Sequence, residues 1–184
     1  MRDWKAAVHE RLNRREQTLL ALFARVRREV DAGKHEESEP GRVWLEQFCQ
    51  GVGVQICAGE FQLGDSIGIN SDPKALATDH WCFADRFTGD LSPLDYIVTN
   101  YLECFPDPLR VLQSWAGRMR TGGVMAVIAR NSELYDNERG PLKNVRRASC
   151  FSLKTLSFTL ERAGYAVFCR ENYEMEIRIA ARKR

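Results

Sequence analysis

The residues most able to do chemistry lie in one stretch, "GVGVQICAGEFQLGDSIGINSDPKA", positions 51 to 75. It reads as a strand, a glycine-bearing turn, a second strand and a polar stop. Such an order opens many nucleotide-binding sheets. A glycine in the first turn, Gly59, lets a ligand approach the backbone. Its neighbours Cys57 and Ala58 would share that edge. An amide or carboxylate after the second strand can accept hydrogen bonds from two ribose hydroxyls, and Asn70, Ser71 and Asp72 stand there. Asp72 precedes Pro73, so it could equally cap a helix. A polar side chain after a third strand could reach an adenine amino group; Asp85 holds that place, with a surface pair to Arg86 as the plainer reading.

A second group follows the fourth strand. Asn100, Tyr101 and Glu103 would sit at the mouth of the sheet if that strand ends at Thr99. Glu103 could serve as a base or only as a first-turn carboxylate. Arg130, Asn131 and Tyr135 follow a fifth strand and would face a substrate, or form a surface loop. No serine, histidine and carboxylate triad is recognisable. The six cysteines form no C-x-x-C pair and the three histidines add no ligand spacing, so no metal is expected.

Elements that must hold these residues follow from periodicity. Short apolar runs at 52–57, 66–70, 95–99, 123–129, 165–170 and 175–181 read as strands. A helix is expected over 107–120, with Asp107 as cap, Pro108 at its first position and a stop at Thr121-Gly122-Gly123. Another is expected over 152–164, from Ser152 to Gly164, and a short one over 42–50. Near-continuous apolar strands between helices imply a parallel sheet covered on both faces. Only "ENYE" joins the last two strands, too short for a crossover, so that pair must be antiparallel.

Residues 3–32 carry an apolar stripe, Leu12, Leu19, Phe23 and Val26 among it, at helical spacing. Residues 33–41 read as a linker. The expected division is a helical extension and linker over 1–40 and a single domain over 41–184. The stripe could pair with a second copy of the chain. A net charge of +2 is too small to imply nucleic acid, and no apolar run is long enough for a membrane span. Free thiols and the absence of a targeting pattern suggest the cytoplasm.

From about 43 to 182 the chain resembles the class I S-adenosylmethionine-dependent methyltransferases, and small bacterial members associated with surface-glycan genes in particular. The resemblance rests on "LDYIVTNYLECFPDPLRVLQSWAGRMRTGGVMAVIAR" and "NSELYDNERGPLKN". It is carried by Asp95, Leu102, Glu103, Asp107, Pro108, Gly122 and Gly123. It implies a Rossmann-like α/β sheet in the order 3-2-1-4-5-7-6 with the last strand antiparallel. It also implies S-adenosylmethionine as cofactor, bound by Cys57, Ala58, Gly59, Asn70, Ser71, Asp72, Asp85 and Asn100. The activity it implies is methyl transfer to a small polar acceptor such as a sugar or glycan precursor, with Glu103, Tyr101 and Asn131 as catalytic candidates. The chain departs from the family pattern in its first turn, where Gln55, Cys57 and Phe61 replace an aspartate and two glycines. Asn70 stands for the acidic residue and Cys104 for a histidine. An alternative is therefore a module of the same fold that no longer turns over and acts as a binding or assembly partner.

Overall fold

The computed structural model describes residues 39–57, 62–70, 79–81, 91, 93–134 and 148–184. Two compact units divide the chain, Met1–Glu39 and Pro40–Arg184. The N-terminal stripe and its expected pairing lie outside the described residues.

The second unit is a seven-stranded α/β sheet. Its elements are α1 (Glu39–Glu46), β1 (Gly53–Ile56), β2 (Ile67–Asn70), β3 (His80–Trp81), β4 (Leu94–Thr99), a single 3-10 turn (Leu102–Cys104), α2 (Pro108–Ala116), β5 (Met119–Arg130), α3 (Leu153–Arg162), β6 (Tyr165–Tyr173) and β7 (Glu176–Lys183). The strand order is β3-β2-β1-β4-β5-β7-β6. β1 lies parallel to β2 and β4, and β4 to β5, whereas β7 runs antiparallel to both β5 and β6. This is the order and direction expected above.

Alternation along the strands builds two cores. Val54, Ile56, Ile97, Met125, Val127, Ile177 and Ile179 point to the face where Leu112, Trp115, Leu156 and Leu160 of α2 and α3 pack. Tyr96, Val98, Ala126, Ile128 and Ala180 point to the other face, with Trp44 and Leu45 of α1 and with Leu63. Each fully buried large aliphatic side chain contributes about 1.5–3 kcal/mol.

Helix starts follow their caps. Asp107 accepts from Arg110 N at 3.1 Å, with Pro108 opening α2. Ser152 and Thr155 form a reciprocal capping box at α3. Three boundaries differ from expectation. α1 starts at Glu39, inside the expected linker, because Pro40 is tolerated in a first turn and Trp44 and Leu45 bury behind it. α2 stops at Ala116, with Gly117 as C-cap, and β5 already begins at Met119. The Thr121-Gly122-Gly123 stretch is thus a bulge inside β5, where the register with β4 shifts between Leu94 and Tyr96. Gly122 has a φ of +80°, and a Cβ on Gly123 would stand 3.0–3.1 Å from three carbonyl oxygens. β3 is described only over His80–Trp81.

Candidate functional site

The strand order reverses between β1 and β4, the place where ligands lie in open α/β sheets. There β1 pairs Ile56 with Ile69 of β2 on one side and with Thr99 of β4 on the other. The carboxyl ends of three adjacent strands thus present Asn70, Cys57 and Asn100 side by side, about 5 Å apart per strand. Asn70 and Asn100 are both half-buried. Ala58, Gly59, Ser71, Asp72 and Asp85 lie outside the described residues, as does Tyr135.

Cys57 leaves β1 in a left-handed conformation, φ +59°, that side chains rarely adopt. Its N–H donates to Ile69 O at 2.7 Å, so the turn is tied to β2. Burial pushes its thiol up to about 12, and the neighbouring Cys104 and Glu103 push the same way. Burial thus keeps the thiol neutral, and weakly nucleophilic, at physiological pH.

Gln55 is buried and accepts from Leu63 N at 2.9 Å. It fastens the chain where it re-enters the fold beyond the turn. A polar residue inside a fully buried strand was the signal for such a role.

After β4 the chain turns at once. Tyr101 N donates to Thr99 Oγ1 at 3.3 Å, and Thr99 is buried. Glu103 is only 4% exposed. Its main-chain oxygen accepts from Ala148 N and Ser149 N at 2.8 and 3.0 Å, while Ser149 Oγ donates to Phe105 O at 2.9 Å. The segment leading to α3 is thereby laced to the turn after β4. Asn131 is buried at the end of β5. Its carboxamide oxygen accepts from Glu133 N at 3.0 Å, and its N–H donates to Met175 O at 2.9 Å. That oxygen closes a local turn, which leaves Tyr101 and Glu103 as the two candidates nearest the β1–β4 seam. Arg178, near the start of β7, is a buried polar residue not among the expected site residues.

No family model and no curated protein matches the sequence. Solved structures do match the fold. An S-adenosylmethionine-dependent methyltransferase from Clostridium acetobutylicum superposes with a TM-score of 0.59 at 7% identity, over 90% of this chain and 99% of that one. Another from Thermotoga maritima gives 0.60 at 16% identity, over 78% and 87%. A third from Methanosarcina mazei gives 0.59 at 15% identity, over 76% and 96%. The chain has the class I S-adenosylmethionine-dependent methyltransferase fold. No helix among the described residues is long and apolar enough to cross a membrane.

Proposed function

We propose that this domain transfers a methyl group from S-adenosylmethionine to a small polar acceptor of the sugar or glycan-precursor class, in the cytoplasm. The observation that carries the reading is the row of Asn70, Cys57 and Asn100 at the reversal of strand order. These groups suit the cofactor: two neutral amides match ribose hydroxyls and amino groups, and a thiol kept protonated would not compete as a thiolate for the activated methyl. The bound cofactor would supply an activated methyl on a good leaving group, so little covalent work falls to the protein.

Asn70 would accept the ribose hydroxyls, with Ser71 and Asp72 beside it. Ala58 and Gly59 would offer main chain to the cofactor's amino-acid portion, and Asp85 would contact its base. Asn100 would border both cofactor and acceptor. Glu103, held by the Ala148–Ser149 segment, would orient the acceptor or take its proton, with Tyr101 adjoining it. The contribution is mainly alignment of nucleophile, methyl and sulfur.

Calorimetry with S-adenosylmethionine tests the reading. A carboxylate would bond both hydroxyls with charge assistance, worth roughly 1.5–3 kcal/mol against ~1 for a neutral group. Asn70→Asp should therefore tighten binding about tenfold. If Asp72 carries the role instead, Asp72→Ala should weaken binding by a similar factor and Asn70→Asp should change little. The non-catalytic module draws on the side chain Cys57 places where the family has glycine. It gains the field if millimolar cofactor binds neither wild type nor Asn70→Asp.

A further inference from the structure

The β6–β7 hairpin buries a charged residue, Arg178 of β7. Arg178 is the cross-strand partner of Ile128 on β5 and of Glu171 on β6. Its side chain is 4% exposed. One Nη donates to Glu176 Oε2 at 3.2 Å, and the guanidinium carbon lies 4.0 Å from the centre of the Tyr173 ring. The other Nη stands 3.8 Å from Glu171 Oε1, within ion-pair range but too long for a hydrogen bond. Two buried polar atoms here have no hydrogen bond: Arg178 Nε, a donor, and Glu171 Oε1, an acceptor. Leaving such groups unmet is costly, because each has given up its water without gaining a partner.

A group that accepts from Nε and donates to Oε1 would satisfy both. A hydroxyl does so. A carboxylate would meet Nε but face Glu171, and an ammonium would meet Glu171 but leave Nε bare. The surrounding charge also favours a neutral guest. Arg130 and Glu176 are cross-strand partners, as are Arg178 and Glu171, so the two pairs that flank the unmet atoms each set one positive charge against one negative.

The place fits an acceptor. Val98 pairs with Ala126, so continuing the register sets Asn100 beside Ile128 and Ile128 beside Arg178. Two strand spacings separate Asn100 from Arg178 along this row, about 10 Å, the span of one small molecule. The two covered atoms lie just beneath the surface, with the Glu171 side chain 41% exposed and Tyr173 exposed on the outer side.

We infer that Arg178 Nε and Glu171 Oε1 form a hydroxyl-binding subsite for a neutral, polyhydroxylated acceptor. Its part in catalysis rests on the methyl-transfer reading, but its binding does not. The test is titration of the full-length chain with three probes of similar ring size: methyl glucoside, cyclohexanecarboxylate and cyclohexylammonium. Wild type, Glu171→Ala and Glu171→Gln are compared by NMR, with melting temperature as a check on folding; the half-exposed position of Glu171 favours intact folds. Methyl glucoside should bind best, weaken about tenfold in Glu171→Ala and recover most of that in Glu171→Gln, which keeps an acceptor oxygen. Equal glucoside affinity in wild type and Glu171→Ala overturns the inference. So does preference for either charged probe, or no glucoside binding, with a crystal showing an ordered water only between the two atoms. Calorimetry with S-adenosylmethionine on the same samples separates the two readings. Glu171-dependent glucoside binding without cofactor binding keeps the subsite and removes methyl transfer; the converse removes the subsite alone.

Discussion

The sheet differs in build on the two sides of its β1–β4 seam. Among the described residues β3, β2 and β1 have 2, 4 and 4 residues, whereas β4, β5, β7 and β6 have 6, 12, 8 and 9. The long side carries α2 and α3 and most of the larger apolar core. The short side ends in Cys57 and Asn70, two of the expected cofactor-binding residues. Most of the stabilising core thus lies on one side of the seam, while Cys57 and Asn70 lie on the other.

The largest expected effect lies on the long side. Trp115 is fully buried in α2 and meets Phe105 edge-on, with ring centres 5.6 Å apart. Trp115→Ala should cost about 3–5 kcal/mol, as cavity-forming aromatic truncations do. Urea denaturation of both proteins reads this directly. A loss below about 1 kcal/mol would mean that the long side is not the scaffold.

A smaller effect is expected where the two sides are tied. Asp95 Oδ2 accepts from Val52 N at 2.7 Å, fixing the approach to β1, and Oδ1 pairs with Arg120. The Arg120 side chain is 61% exposed, so the ion pair adds little and the bond to Val52 dominates. Asp95→Ala should cost about 1.5–3 kcal/mol, and Asp95→Asn clearly less, since an amide oxygen still accepts. Equal losses in the same denaturation assay would give the weight to the ion pair instead.

The legibility of the sequence follows the same division. The long side was readable because its signals are local: apolar runs, the Asp107-Pro108 start, the Ser152 cap and a connection too short to cross over. The misplaced end of α2 shows the limit. Gly122 and Gly123 read as a helix stop, but they serve a bulge forced by pairing with β4, a long-range demand that no local pattern carries. The site was legible as a set of strand ends, and Cys57, Asn70 and Asn100 do stand together. The job of Asn131 was not, because its bonds go to Glu133 and Met175. Arg178 shows the same limit: its surroundings come from Glu171 and Ile128 through cross-strand register. Along the chain it is one of two charges, with Glu176, in an otherwise apolar run.

The smallest effect, and the sharpest test of the comparison, is at Cys57. Its left-handed backbone costs a side-chain-bearing residue roughly 1–2 kcal/mol, which glycine would not bear. Losing a partly buried methylene and thiol costs roughly 1 kcal/mol in return. At neutral pH, then, Cys57→Gly should lie within about 1 kcal/mol of wild type. At alkaline pH the two should diverge. The folded thiol stays protonated to about 12, while the unfolded thiol ionises from its ordinary value of 9.0. The unfolded state therefore binds fewer protons through that window, and the wild type loses stability there as pH rises. The variant lacks this loss, so its denaturation free energy should fall less between pH 9 and 12. Cofactor affinity decides what the thiol is for. If the cysteine merely crowds a working turn, Cys57→Gly should tighten S-adenosylmethionine, because the ligand can then approach bare backbone. Weaker binding in the glycine variant would make the neutral thiol part of the pocket wall, and the short side of the sheet would then be adapted to its ligand by this cysteine.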